Sequence, residues 1–232
     1  MGKKRIFGFI RAEGLSPRRF ASLGEAVFDT VYLCTVLAFG VYLMIRAEKS
    51  VQLLAGVMAL ILGLGDAFHL VPRIRASFSR EPAERFRRAL GVGKLVTSVS
   101  MTVFYVLLWH VGMLLFPVPS AAAPTVCVYV LAAVRILLCF MPQNGWTSVH
   151  PPVSWAVFRN IPFFLLAALV AWPFAAYAGS VPAVTYMWLA IALSFLFYVP
   201  VVLFSDAHPA VGALMIPKTA AYVWIVVMCL FL

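Results

Sequence analysis

The chain has 232 residues, of which 64% are hydrophobic and only 11% charged. A water-soluble fold of this length needs far more polar surface, whereas repeated apolar runs of about 20 residues are long enough to cross a bilayer. The formal charge of +10 therefore reads as basic residues flanking membrane segments, not as a nucleic-acid surface.

In chain order, residues 1–24 read as a basic cytoplasmic or interfacial arm, "MGKKRIFGFIRAEGLSPRRF" followed by "ASLG". Basic and apolar residues alternate in it, and it has no long apolar core of a cleavable signal, so no cleavage is expected. Residues 25–232 read as one transmembrane helical domain. Seven spans are expected, at about 25–46, 51–71, 89–116, 124–141, 155–178, 182–205 and 209–232. Pro- and Gly-containing stretches such as "FPVPSAAAP", "MPQNGWTSVHPP" and "AGSVP" separate the later spans. Prolines inside the fifth and sixth spans leave room for a bend or a re-entrant turn. The fold class is an all-α polytopic transmembrane bundle of about seven spans.

Six Lys and Arg residues lie in the arm and six more between the second and third spans, while the loop after the first span has only Arg46 and Lys49. The positive-inside rule then puts the N-terminus in the cytoplasm and predicts a multi-pass protein of the cell membrane. The four cysteines, Cys34, Cys127, Cys139 and Cys229, all fall in apolar runs and read as small buried hydrophobes.

Ionisable groups within a bilayer are costly, which makes each of them a functional candidate. Counted at about 1.5 Å per residue, Asp66 and His69 sit near the inner end of span 2 and Lys94 and Ser98 near that of span 3. Arg135 lies there in span 4, Arg159 and Asn160 in span 5, and Ser205, Asp206 and His208 at the end of span 6. Lys218 enters from the same side and is expected near the midplane, on one stripe with Tyr222; Lys94, Ser98, Met101 and Tyr105 form another stripe. Only His110 falls in the outer half. Such convergence points to a polar cavity open to the cytoplasmic leaflet. Blander roles are also available. Asp66 can pair with Lys94 or Arg135 simply to hold spans together, Arg159 can snorkel to the headgroups, and Asp29 can be a first-turn residue at a helix N-terminus.

Two carboxylates near several cations in a low-dielectric site can be held in opposite protonation states, which equips them for general acid–base hydrolysis. Lys and Arg at this depth would bind the phosphate of a lipid reaching in from the inner leaflet.

The stretch "LGDAFHLVPR" resembles the signature of the YhhN/lysoplasmalogenase family of small integral-membrane enzymes, in which Gly-Asp ends a transmembrane helix. The match falls on Gly65 and Asp66, closed by Pro72 and Arg73. "MTVFY" retains the Phe104–Tyr105 pair, with Thr102 where that family has His. "VLFSDAHP" offers Ser205 and Asp206 for its second aspartate. Tyr222 corresponds to a tyrosine of its last span, although the Gln that usually follows is absent and Trp224 stands nearby. That family usually has eight spans and an early Lys-Pro in the second, neither of which is read here. The resemblance implies hydrolysis of the vinyl-ether bond of lysoplasmalogen-type lysophospholipids, with Asp66 and Asp206 as the catalytic pair and no cofactor. Lys94, Arg135 and Lys218 would hold the phosphate, with Ser98, Tyr105, Tyr222 and His69 lining the substrate site.

Three other readings use the same residues. Asp66 and His69 at i, i+3, with Asp206 and His208, could be ligands of a zinc hydrolase. Lys218 in the last span echoes a retinal Schiff-base lysine, but span 3 has no carboxylate to serve as counter-ion. A transporter or lipid-binding protein for an anionic solute would need the cavity without the chemistry. The lack of an inverted repeat counts against a carrier.

Overall fold

The computed structural model describes residues 17–79, 83–205 and 207–232. Among the described residues, seven α-helices make up the fold: α1 (Pro17–Ile45), α2 (Ser50–Phe78), α3 (Arg87–Leu115), α4 (Ala122–Phe140), α5 (Val153–Ala176), α6 (Met187–Phe204) and α7 (Met215–Cys229). Among the described residues there is no strand. All seven, α7 together with the 3-10 helix that leads into it (Ala210–Cys229), are long and apolar enough to cross a membrane, so this is a multi-pass helical membrane protein. Consecutive helices pack against each other, α3 also touches α5, and α7 returns against α1 and α2 to close the bundle. Large apolar side chains such as Leu137, Phe140, Leu165 and Leu196 point outward, as they must where the solvent is hydrocarbon and every backbone polar group is satisfied within its helix.

The seven expected spans are all present, but their ends differ in ways that matter. The first eight helical residues, 17–24, belong to the expected arm; α1 starts at Pro17, so Asp29 lies well inside the helix and not in its first turn. Residues 1–16 of that arm lie outside the described residues. The second span does not stop at residue 71: α2 runs through Pro72 to Phe78. Proline lacks the N–H that would bond the carbonyl four residues earlier, here that of Phe68. A Cβ added at Gly93 of α3 would run into that carbonyl and into His69. Glycine lets α3 approach α2 this closely, and a Cβ at Gly65 would likewise collide with Ser100. Gly91 packs against the Trp146 backbone in the same way. The helices α5, with Pro162 and Pro173, and α6, with Pro200, continue through their prolines and do not re-enter.

The loop after α4 is built to end a helix. Asn144 Nδ2 donates to the carbonyls of Leu138 (2.7 Å) and Met141 (2.8 Å), and Trp146 Nε1 to that of Cys139 (2.9 Å). They supplement the backbone N–H groups of Met141 and Asn144, which reach the Leu138 and Met141 carbonyls at 3.3 and 3.1 Å, where the helical pattern runs out. Gly145, at φ 56°, supplies the left-handed residue that reverses the chain. Of the cysteines, Cys139 and Cys229 are buried as expected, whereas Cys34 and Cys127 are on the exposed faces of their helices.

Candidate functional site

At one end of the bundle α1, α3, α5 and α7 begin and α2, α4 and α6 end; the described basic residues Arg73, Arg75, Arg85, Arg87 and Arg88 fall at this end. A cavity of about 80 Å³ opens near this end between α1, α2, α3 and α7. It is lined by Asp29, Asp66, His69, Arg73, Lys218 and Tyr222, among others. That volume holds water and a small polar group.

Asp66 is its centre. The Tyr32 hydroxyl of α1 donates to Asp66 Oδ2 at 2.6 Å, the short separation expected of a hydroxyl on a carboxylate. One residue earlier, the Gly65 carbonyl accepts from Thr97 Oγ1 at 3.1 Å, which fixes the α2 backbone against α3. Arg73, the residue after Pro72, folds back to bond Glu25 and lies 3.6 Å from Asp29 Oδ2. Asp29 is only 6% exposed and otherwise lacks a hydrogen bond at that oxygen. Glu25, Asp29 and Tyr32 fall at i, i+4 and i+7 on α1, one face of a helix. His69 also lines the cavity, with a buried Nδ1 that has no hydrogen-bond partner. Lys218, in the first turn of α7 and about midway along the span Ala210–Cys229, is 9% exposed. Its Nζ lies 4.2 Å from the Tyr198 ring centre and 5.4 Å from that of Tyr222.

The remaining expected residues are arranged differently. Tyr222 reaches the cavity, but Tyr105 lies behind it in the core, its hydroxyl 3.3 Å from Ser194 Oγ and 3.5 Å from the Tyr222 hydroxyl. Ser98 turns its hydroxyl to the Lys94 carbonyl at 2.8 Å. Lys94 is exposed and lines a separate cleft with Arg87, Trp146 and Ser148, so it is not the partner of Asp66. Asp206 lies outside the described residues.

Arg135 is not a partner of Asp66 either. It is 2% exposed and donates through Nε to Thr102 Oγ1 and through Nη1 to the Arg159 carbonyl and to Asn160 Oδ1, each at 2.9 Å. Its guanidinium sits 3.5 Å above the Phe163 ring. Arg159 does not snorkel outward: Nη1 donates to Asn144 Oδ1 at 2.9 Å and the group covers the Trp146 ring. At the other end of the bundle, His110 and Tyr129 satisfy each other at 2.9 Å.

Among the described residues Arg73 pairs with Glu25 and Asp29, and Arg87 with Glu84. No group of three His, Cys, Asp or Glu side chains there is close enough to hold a metal ion; Asp66 and His69 share a cavity without a third ligand. The chain matches no protein-family model, no curated protein and no solved structure.

Sequence reasoning missed Tyr32, Glu25 and Thr97. The i, i+4, i+7 stripe of α1 was a signal for the first two, since it aims them at one neighbour. Nothing in the sequence marked Thr97.

Proposed function

We propose that this protein is an integral-membrane hydrolase that cleaves the vinyl-ether bond of a lysoplasmalogen-type lysophospholipid by acid–base chemistry centred on Asp66. The observation that carries the reading is the Asp66–Tyr32 pair in a water-sized cavity bordered by Arg73 and Lys218. A carboxyl group there can hold a proton for transfer, with water at hand and cations to draw in an anionic head.

In this proposal the Asp66 carboxyl O–H gives its proton to the outer alkenyl carbon, whose π pair forms the new C–H bond. The ether oxygen then shares the positive charge as an oxocarbenium ion. Water adds to the inner carbon and loses a proton to the second carboxylate. The hemiacetal C–O bond breaks as its hydroxyl proton passes to the Asp66 carboxylate, the glyceryl oxygen takes the proton held by the second carboxylate, and the products are a fatty aldehyde and a glycerol phosphodiester. Two protons are given by the protein and two are recovered from water. The second carboxylate is Asp206, as the resemblance implies; Asp29, in the same cavity, is already committed to Arg73. By the positive-inside rule this end of the bundle faces the cytoplasm and the substrate belongs to the inner leaflet.

The test is aldehyde release from an alkenyl-lysophospholipid by protein purified in detergent, in the native chain and in Asp66→Asn, Asp206→Asn and Asp29→Asn. The first two are expected to abolish release and the third to reduce it only in part. No release by the native chain, or unchanged release by Asp66→Asn, overturns the proposal. A second reading, binding or carriage of an anionic solute without chemistry, draws on Arg135, a buried cation that donates to the neutral oxygens of Thr102, Arg159 and Asn160.

A further inference from the structure

The α1–α2 hairpin carries a ladder of polar pairs along one wall of the Asp66 cavity. Glu25, Asp29 and Tyr32 follow one another at intervals of four and three residues on α1. Arg73, His69 and Asp66 repeat those intervals in the opposite chain direction on α2. In an antiparallel pair of helices the six side chains therefore stand at three successive levels, one turn apart. Glu25 bonds Arg73 at the mouth, and Tyr32 bonds Asp66 at the deepest level. The middle level, Asp29 with His69, has no bond across it.

Among the described residues only two buried side-chain nitrogen or oxygen atoms lack a hydrogen-bond partner, and they are Asp29 Oδ2 and His69 Nδ1. Both residues line the cavity. Arg73, at 3.6 Å, balances the charge of Asp29 but is too far to occupy Oδ2 as a hydrogen-bond donor. The imidazole donates to the Leu90 backbone carbonyl, and this bond falls to Nε2 because Nδ1 has no partner. Nε2 therefore carries the ring proton and Nδ1 is left as a bare acceptor. Two buried acceptors left open at one level are costly, and one occupant can satisfy both.

The chemistry of the gap narrows that occupant. Both atoms accept, so it must donate twice, which a single hydroxyl group cannot do. An anion would meet the Asp29 carboxylate, and a cation would stand beside Arg73. A small neutral molecule with two donors is water, and the cavity of about 80 Å³ has room for it. We infer that Asp29 and His69 seat the hydrolytic water between them, its hydrogens on Oδ2 and Nδ1 and its lone pairs free. The role of that water rests on the hydrolase reading; its seat does not. Asp66 lies one turn away, about 5.4 Å along the helix, a separation that lets an acid protonate one alkenyl carbon while water adds to its neighbour. The attacking water passes its proton to His69 Nδ1, from which the second carboxylate receives it. His69 is then a catalytic residue in contact with the reacting water, and Asp29 orients that water.

The experiment observes the water directly. The native chain in detergent micelles, labelled with nitrogen-15 at its four histidines, is probed by magnetisation transfer from water protons to the ring nitrogens. His69 is assigned by the signal lost in His69→Gln. The expected result is an Nε2-protonated ring whose Nδ1 receives transfer from water, weakened by about twofold or more in Asp29→Leu. No transfer to Nδ1, or an Nδ1 that donates its own proton to Asp29, overturns the inference. Added methanol tests the role, since it competes for the oxocarbenium ion and yields a methyl acetal but has a single hydroxyl proton. The native chain should favour water about 10-fold beyond the molar ratio of the two, and His69→Leu should bring the products back towards that ratio. An unchanged partition in His69→Leu also overturns the inference. Water at Nδ1 with no aldehyde release from the native chain would overturn the hydrolase reading and leave the water site standing.

Discussion

The two halves of the bundle treat charge in opposite ways. On the side of α1, α2, α3 and α7, carboxylates and cations are mixed: Arg73 answers Glu25 and Asp29, and Tyr32 answers Asp66. On the side of α4, α5 and α6, the cations Arg135 and Arg159 are satisfied by a threonine hydroxyl, two asparagines and a backbone carbonyl. A mixed cluster suits proton transfer, because each group has a counter-charge that stabilises its change of state. A cluster of cations held by neutral dipoles retains its positive potential and suits the binding of an anion. The difference separates chemistry from recognition, and Lys218, packed on Tyr198, joins the two.

The comparison can be broken most sharply at Asp66. Asp66→Asn keeps an acceptor for the Tyr32 hydroxyl but cannot shuttle a proton, and aldehyde release should fall by about 100-fold or more, the range of a lost general acid. Replacing Arg135 acts on the other half. Arg135→Met strips Thr102 and the Arg159 carbonyl of this donor, leaves Asn160 Oδ1 with the Tyr198 hydroxyl alone, and should cost about 3 kcal/mol of stability in a detergent unfolding series. Arg135→Lys should recover only part of that, because an ammonium cannot reproduce the fork.

The close approach of α2 and α3 gives the next effect. Gly93→Ala pushes a methyl group into backbone atoms of Phe68 and His69 and should lower stability by about 2 kcal/mol. Gly212→Ala meets no atom within 4 Å and should be neutral in the same measurement. Tyr32→Phe removes one hydrogen bond to Asp66, and a drop of about 10-fold in aldehyde release is expected from a bond to a charged group. Smallest of all, His110→Phe should leave release within about twofold, since its partner Tyr129 and its place at the far end separate it from both halves.

Much of this arrangement was legible in the residues. Hydropathy marked all seven helices, and counting residues from the basic loops put Asp66, His69, Arg135, Arg159 and Lys218 at one end. Which of them meet was not legible. Pro72 looked like the end of a helix, but a proline removes only one hydrogen bond, and α2 continues far enough to return Arg73 to α1. Lys94 sits at the right depth on the wrong face of α3, a rotation that depth counting cannot detect. Arg135 finds neutral acceptors because Thr102 and Asn160 come from separate helices. Their meeting depends on packing, not on spacing along the chain. Asp206 lies outside the described residues, so its role as partner remains with the mutational test.

The separation of chemistry from recognition is tested most directly by one paired measurement on the purified native chain, Asp66→Asn and Lys218→Gln. Aldehyde release and lysophospholipid binding are read on each sample. The account predicts that Asp66→Asn binds within twofold of the native chain and releases no aldehyde, whereas Lys218→Gln binds at least 10-fold more weakly and reaches the native rate at saturating lipid. Asp66→Asn that turns over normally, or Lys218→Gln that binds like the native chain, would contradict it.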